Sequence, residues 1–285
     1  MNRIELVENL SLLLDCILAL PNFLSKYRLP ISNSKRGEIN ILGTGPSLKE
    51  SLKSINSQAR KVDSFAMNDF AISELFLDAK PTYYILVDEA YWLSETYIQK
   101  KDHERRKMVF DNLLSKTDWK LELFIPSNVF KQKTLAFLEE NHNIIIRPIN
   151  LASLSLVDKG LYYKLLSLNI AASFNNVLAV AIYIAINLGY ETINIYGAEH
   201  SWTKDIRVND KNQVCTISRH FYEEEEKLVP WMTSDNKNME MQTILLYLQR
   251  HFRAYELLNK YALMHSVEII NRTPNSFIDA FKREL

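Results

Sequence analysis

Two histidines stand where a side chain that titrates near neutral pH could move a proton. His200 follows an apolar run in the motif Gly-Ala-Glu-His-Ser at residues 197–201, and His220 lies in a polar stretch, Ser-Arg-His-Phe-Tyr, at residues 218–222. Either imidazole could act as a general base, because histidine changes its charge between about pH 5 and 8. Acidic residues flank both, but no tight ligand spacing such as His-Glu-x-x-His occurs, so the pattern predicts proton transfer and no metal site.

A second candidate is the glycine-rich turn Gly-Thr-Gly-Pro-Ser at residues 43–47, between an apolar run and a helical pattern. The N–H groups of a strand-to-helix turn, together with the helix dipole, can hold a phosphate. The turn is part of a dinucleotide fingerprint only, since Leu48 replaces the third glycine, and no Gly-Lys-Ser/Thr of a P-loop occurs. The residues therefore predict a phosphate site, with a purely structural turn as the alternative.

Short apolar runs alternate with helical patterns along most of the chain. Strands are expected near residues 39–42, 63–67, 81–87, 121–125, 144–147, 192–196 and 267–270, with helices between them, including one around 131–141 and a very apolar one at 175–188. This alternation predicts a Rossmann-like α/β fold: a mostly parallel sheet with helices on both faces, forming a single nucleotide-binding domain.

Ligands of such a sheet bind at the carboxyl ends of its strands, which selects the candidate positions. Polar or glycine-rich sequence follows four of the predicted strands, at residues 43–47, 68–69, 88–89 and 197–202. The pair Asp88 and Glu89 could act as two carboxylates, but neighbours in a loop generally point apart, so glycosidase chemistry has weak support.

Two segments fall outside the alternation. Residues 201–238 lose their periodicity and are predicted to form a lid within a domain that spans residues 38–285. Residues 1–37 are predicted as an N-terminal helical extension, whose apolar run at 10–20 is about half the length that spans a bilayer and contains Asp15. This helix is expected to pack on the core or on a neighbouring subunit in a homo-oligomer; peripheral contact of residues 1–30 with a membrane is the alternative.

The composition excludes several classes of protein. Among 285 residues, 34 are Lys or Arg and 34 are Asp or Glu, so the formal net charge is zero and no overall field attracts nucleic acid. Cys16 and Cys215 form neither a disulfide framework nor a Cys-x-x-Cys motif. The start of the chain lacks the pattern of a signal peptide, so a cytoplasmic location is expected.

Several motifs, taken in order, resemble those of a known family. They are residues 39–50 (INILGTGPSLKE), 66–68 (AMN), 179–190 before the strand end 195–197 (IYG), and 273–276 (TPNS). Together they resemble the bacterial sialyltransferases of glycosyltransferase family 42, and a related Rossmann-like family that includes hydroxymethylpterin diphosphokinases and motility-associated glycosylation factors. The resemblance covers roughly residues 38–285 and implies a nucleotide-binding domain of a variant GT-A type with a lid segment.

The resemblance implies a metal-independent, inverting transfer of a nonulosonic, sialic-acid-like sugar from a CMP-sugar to an acceptor hydroxyl, with no further cofactor. Such a reaction belongs to bacterial surface polysaccharide or lipooligosaccharide synthesis, with a glycan or lipid-linked glycan as acceptor. The implied base is His220, with His200 as the second choice. The implied nucleotide and donor contacts are Gly43, Thr44, Gly45, Pro46, Ser47, Asn68, Asp88, Asn175, Asn176, Gly197, Glu199 and Tyr222.

The sequence departs from the family pattern at several of these positions. Asp88 stands where the family has Asn, Asn175 and Asn176 replace a Ser-Gly pair, and residues 201–204 offer no equivalent of two tyrosines that hold the leaving phosphate. Arg219, Arg207, Lys204, Tyr222 or the turn amides could hold it instead. These departures allow another activated donor. The alternatives are a Mg²⁺-dependent diphosphokinase of the pterin type and a noncatalytic nucleotide-binding protein.

Overall fold

The computed structural model describes residues 3–56, 62–92, 100–130, 136–151, 155–169, 174, 176–218, 227–233 and 237–285. Within these residues the strands are β1 Arg36–Leu42, β2 Asp63–Met67, β3 Tyr83–Ile85, β4 Leu121–Pro126, β5 Ile144–Ile149, β6 Tyr190–Tyr196, β7 Arg207–Val208, β8 Val214–Ser218, β9 Lys227–Pro230, β10 Glu268–Asn271 and β11 Lys282–Arg283. The helices are α1 Arg3–Phe23, α2 Leu48–Asn56, α3 Leu75–Ala79, α4 Lys100–Lys116, α5 Ser127–Phe130, α6 Gly160–Ser167, α7 Val177–Leu188 and α8 Met241–Met264.

The central sheet confirms the predicted Rossmann-like α/β fold. It has eight strands in the order β11-β10-β6-β1-β2-β3-β4-β5, and every pairing in it is parallel. The chain runs outward from β1 to β5 on one side and continues with β6 on the other side of β1. The order therefore reverses between β1 and β6, and in open α/β sheets ligands bind at such a switch point.

Helices cover both faces of this sheet, as the alternation predicts. Along β2, Phe65 and Met67 belong to one buried cluster and Ala66 to the other, because successive side chains of a strand point to opposite faces. The first cluster includes residues of α1, α6, α7 and α8, and the second includes residues of α2, α3, α4 and α5.

Helix α7 follows the predicted course closely. The side chain of Asn176 caps its first turn by accepting a hydrogen bond from the Leu178 N–H at 2.8 Å, and Gly189 ends it in the left-handed conformation (φ 89°). Glycine adopts that conformation without steric cost, which explains the helix stop. The predicted helix at 131–141 is different: residues 131–135 lie outside the described residues, and Ala136–Glu140 form a 3₁₀ helix.

The segment predicted as a lid contains regular structure that the periodicity did not indicate. Strands β7, β8 and β9 form an antiparallel sheet, and Val214 packs with Ile244 and Leu248 of α8. The β7–β8 turn is closed by Asn209, whose N–H donates to the Gln213 carbonyl at 3.0 Å and whose side chain accepts from the Gln213 N–H at 2.9 Å. We call β7, β8 and β9 the antiparallel wall.

Helix α1 packs on the core through part of its surface only. Leu12 is buried in the first cluster and the Asp15 carboxylate accepts a hydrogen bond from the Ser155 N–H at 2.6 Å. Apolar side chains remain exposed along the helix, namely Leu6, Val7, Leu10, Leu13, Leu14 and Ile17. Among the residues that the structure describes, none of the helices combines the length and apolar character needed to cross a bilayer.

The amino ends of the strands are joined by a hydrogen-bonded cluster. The Tyr190 hydroxyl donates to the Asp63 carboxylate at 2.5 Å and lies 3.0 Å from the Tyr83 hydroxyl, which also accepts from the Arg36 guanidinium at 2.9 Å. Burial, with the hydrogen bonds to Asp63 and Tyr83, raises the pKa of Tyr190 far above its usual value. The cluster therefore ties β6, β2, β3 and β1 together at the edge of the sheet opposite the switch point.

Candidate active site

A cavity of about 770 Å³ opens at the carboxyl ends of β1 and β6, the switch point of the sheet. Three chain segments that follow strands line it: residues 44–46 after β1, several residues between 197 and 205 after β6, and 275–277 after β10. The antiparallel wall closes a further side through Thr216, Ile217, Val229 and the adjacent Trp231. Of the four predicted strand ends, those after β1 and β6 meet here.

The glycine turn holds the two strand ends together. The Gly43 N–H donates to the Tyr196 carbonyl and the Gly45 N–H to the Gly197 carbonyl, both at 2.8 Å. A Cβ atom on Gly43 would lie 2.3 Å from the Gly197 carbonyl oxygen, closer than side chains approach backbone in proteins. Gly197 itself has φ 62°, in the left-handed region. The glycines are therefore required for the close approach of β1 and β6.

The Glu199 carboxylate occupies the place that the sequence predicts for a phosphate. Its Oε1 accepts a hydrogen bond from the Ser47 N–H at 2.8 Å, at the start of α2. Its Oε2 is buried with no hydrogen-bond partner in the described structure, and a Cβ on Gly45 would lie 1.6 Å from it. A carboxylate at this helix end is stabilised by the helix dipole, as a phosphate would be. A phosphate could accept from Ser47 only by displacing Glu199.

The motif at residues 273–276 supports the segment that carries Glu199. The Thr273 hydroxyl accepts from the Ala198 N–H at 3.2 Å, and the Ser276 hydroxyl donates to the Ala198 carbonyl at 2.7 Å. The Phe277 N–H then donates to the Glu199 carbonyl at 2.7 Å. Polar residues after β10 thus fix the backbone after β6.

His200 lies on the cavity wall with its ring held by two neighbours. Its Nδ1 is 2.9 Å from the Tyr255 hydroxyl, and its ring lies 4.2 Å from that of Trp202, measured between centroids. Its backbone is left-handed (φ 47°), which is uncommon for a residue with a side chain. Burial, with a smaller contribution from His251, lowers the pKa of His200 to about 3. The ring is therefore neutral at physiological pH.

Asn176 is placed behind this histidine rather than on the cavity. Its Nδ2 donates to the Tyr255 hydroxyl at 2.6 Å, so Asn176, Tyr255 and His200 form a continuous chain of hydrogen bonds. Tyr255 is fully buried on α8, and the periodicity of that helix indicates only a core position for it. This chain escaped the sequence analysis because its members are separated by 24 and 55 positions along the sequence.

The rim of the cavity carries one lysine and several aromatic rings. Lys204 lines the cavity and is exposed. Trp202 packs with the Val214 cluster and lies 5.4 Å from the His251 ring, so it bridges the antiparallel wall and α8. The indole N–H of Trp231 is buried without a hydrogen-bond partner among the described residues. The cavity therefore combines aromatic and apolar surface with polar and charged side chains, among them the carboxylates of Glu199 and Asp205.

Two further predicted donor contacts, like Asn176, lie away from this cavity. Asn68 follows β2 in a left-handed conformation (φ 50°), and its carbonyl accepts from the Tyr84 hydroxyl at 2.6 Å. Asp88 is exposed and caps a short 3₁₀ helix by accepting from the Ala90 N–H at 2.9 Å. Neither residue lines the cavity.

The other predicted residues fall into two groups. His220, Tyr222, Arg219 and Asn175 lie outside the described residues. Thr44, Gly45, Pro46, Gly197, Glu199, His200 and Lys204 line the cavity, whereas Gly43 and Ser47 support it. In the described ranges, no group of three or more His, Cys, Asp or Glu side chains is arranged to hold a metal ion.

Comparisons with known proteins bear on the fold. No family model matches the chain, and no curated protein sequence is similar to it. Among solved structures, the chain is similar to the MAf glycosyltransferase from Magnetospirillum magneticum AMB-1, with a TM-score of 0.51 and 11% sequence identity. The match covers 94% of this chain and 38% of that chain, so this chain spans well under half of that protein. At this identity the likeness shows that the two share a fold.

Proposed function

We propose that the protein is a glycosyltransferase that takes a sugar from a nucleotide-sugar donor and passes it to an acceptor hydroxyl. The observation that carries this proposal is the cavity at the β1–β6 switch point, where sheets of this class bind nucleotides. The shared fold with a glycosyltransferase supports the same reaction class.

The finer form of the proposal rests on the motif resemblance. The donor is a CMP-linked nonulosonic acid, the acceptor is a glycan or lipid-linked glycan, and the transfer inverts the anomeric carbon without a metal ion. The acceptor oxygen forms a bond to that carbon as the bond to the phosphate oxygen breaks, and the electron pair of the broken bond stays on the phosphate. The acceptor proton passes to a base, for which His220 remains the prediction.

Within the cavity, the leaving phosphate needs partners that offset its negative charge. Lys204 supplies a cation among the residues that line the cavity, and His200 lines the same cavity. The antiparallel wall restricts access of water from one side, and exclusion of water protects an activated donor from hydrolysis. Contact of residues 1–30 with the inner face of a membrane, or with a second copy of the chain, stays a prediction.

The test is nucleotide binding followed by turnover. We expect CMP or CDP to raise the melting temperature in Mg²⁺ and in EDTA alike, because a ligand that binds only the folded state stabilises it. Lys204→Ala should weaken this shift, whereas Lys211→Ala, an exposed lysine in the β7–β8 turn, should not. Release of CMP from a CMP-sugar, with transfer to an acceptor, then establishes the reaction.

Two other results would replace this proposal. A shift with ATP that EDTA abolishes would favour the Mg²⁺-dependent diphosphokinase. Binding of a nucleotide without turnover of any activated sugar would favour a noncatalytic nucleotide-binding protein.

A further inference from the structure

We infer that Asn176 and Tyr255 fix His200 in the tautomer whose Nε2 carries the hydrogen, so that His200 presents a hydrogen-bond donor to a phosphate oxygen of the ligand. This assigns His200 the role of an uncharged donor rather than a base, and makes Asn176 and Tyr255 positioning residues. The inference about the phosphate rests on the proposed function, whereas the inference about the tautomer does not.

The orientation of the Asn176 amide is set by helix α7. Its Oδ1 accepts from the Leu178 N–H at 2.8 Å, an interaction that an amide nitrogen cannot make. The atom that faces the Tyr255 hydroxyl, 2.6 Å away, is therefore Nδ2, which can only donate. The oxygen of Tyr255 thus accepts one hydrogen bond from a fixed source.

The remaining proton of the Tyr255 hydroxyl decides the tautomer. Among the described residues its one acceptor is Nδ1 of His200, at 2.9 Å. If Nδ1 carried a hydrogen, the tyrosine oxygen would accept twice and its own O–H would be buried without an acceptor, because Tyr255 has no exposed surface. Leaving a buried donor unsatisfied is unfavourable, so the tyrosine O–H donates to Nδ1. A neutral imidazole that accepts at Nδ1 carries its hydrogen on Nε2.

The state and position of the ring agree with this role. The low pKa of His200 keeps the imidazole neutral at pH 7, so only one ring nitrogen bears a hydrogen. Among the described residues no protein group is bonded to Nε2, and His200 lines the cavity. Lys204, four positions later in the sequence, also lines the cavity. A phosphate bound in this cavity would accept from the Nε2–H of His200, and the ammonium group of Lys204 supplies a positive charge to the same cavity.

The chemical step leaves the histidine unchanged. When the bond between the anomeric carbon and the phosphate oxygen breaks, the electron pair stays on the phosphate, and the Nε2–H strengthens its hydrogen bond to that oxygen without transferring a proton. The acceptor proton must go elsewhere. A group that is already protonated at Nε2 and blocked at Nδ1 cannot take it.

The tautomer can be measured directly by two-bond ¹⁵N–¹H correlation spectra of protein labelled at histidine. We expect one His200 spin system with a protonated Nε2 and an unprotonated Nδ1, assigned by its loss in His200→Gln. Tyr255→Phe should produce a mixture of tautomers. The matched control is Tyr261→Phe, since Tyr261 is also fully buried on α8 but donates to Asn187 at 2.8 Å, and it should leave the His200 signals unchanged. A protonated Nδ1 in the unmodified protein would overturn the inference.

The proposed contact between His200 and a phosphate is tested by binding of CMP and by enzyme turnover. Added CMP should move the Nε2 resonance more than that of Nδ1; equal or absent movement at saturation would overturn the phosphate contact while leaving the tautomer intact. His200→Ala should lower kcat about 10²-fold with a smaller change in KM, as expected for loss of one donor to developing charge. His200→Gln, which retains an N–H group, should recover part of that loss, and equal activity of the two variants would contradict the donor role.

Discussion

The contact between Gly45 and Glu199 predicts that substitutions at these two positions are not additive. Glu199→Ala removes the carboxylate from the start of α2 and leaves the Ser47 N–H without its acceptor, which should lower the free energy of unfolding by about 1–2 kcal/mol. Gly45→Ala places a Cβ 1.6 Å from Oε2 and 2.8 Å from the Gly197 carbonyl oxygen. The substitution therefore displaces the carboxylate and also crowds the backbone. The crowding should lower the free energy of unfolding by about 1–3 kcal/mol, so that the two effects together lower it by about 2–5 kcal/mol.

In the double variant, Gly45→Ala with Glu199→Ala, the hydrogen bond between the carboxylate and Ser47 is lost only once, although each single variant loses it. The combined effect should fall short of the sum of the two single effects by about 1–2 kcal/mol, which urea unfolding followed by circular dichroism can resolve. Gly160→Ala is the control, because a Cβ there has no atom within 4 Å, and its stability should stay the same or rise by up to about 1 kcal/mol. Single effects that add to within about 0.5 kcal/mol would refute the placement of Glu199 over Gly45.

Three further outcomes follow from other contacts. Gly43→Ala should lower the free energy of unfolding by about 2–4 kcal/mol, since its Cβ would meet the Gly197 carbonyl oxygen at 2.3 Å; a thermal melt equal to that of the unmodified protein would contradict this. Because the pKa of His200 is about 3 in the folded protein and near 6.5 in the unfolded chain, the unfolded state binds more protons between these values; stability should fall as the pH drops through this window, and His200→Gln should flatten the decline in urea titrations. Tyr190→Phe should lower the free energy of unfolding by about 1–3 kcal/mol through loss of the hydrogen bond to Asp63, while nucleotide binding at the opposite edge of the sheet stays unchanged in calorimetric titrations.

The sequence predicts the layered fold well because each part of that prediction depends on local patterns. The alternation along β2 and β6 and the apolar helix before Gly189 are visible within short windows. The antiparallel wall was missed because β7 has two residues and β9 has four, too few to show a period of two. The signal that could have revealed it is the turn sequence Asn-Asp-Lys-Asn at residues 209–212, which is typical of a hairpin.

The site was harder to predict because its roles depend on contacts between distant segments. The sequence motif suggests that Gly45 is a glycine because it binds phosphate. In the structure, the carboxylate of Glu199, 154 positions later, occupies the space that a side chain at position 45 would need. The sequence suggests that His200 is a general base. Its hydrogen bond with the Tyr255 hydroxyl at Nδ1 instead favours a ring that donates a hydrogen bond from Nε2. Both residues line the cavity, and the contacts that each makes there come from a distant neighbour that no local pattern indicates.

The order of the strands explains why only some polar strand ends share the cavity. Asp88 follows β3, and β3 is separated from β6 by β1 and β2, so at about 4.8 Å between neighbouring strands the two ends lie about 14 Å apart. Asn68 follows β2, roughly 10 Å from β6 by the same measure. A compact ligand at the β1–β6 cavity does not reach these positions, whereas an extended ligand, a nucleotide joined to a sugar, can lie along the carboxyl edge from β6 toward β3. Contacts with Lys204 and with Asp88 by one ligand would therefore require that extended shape.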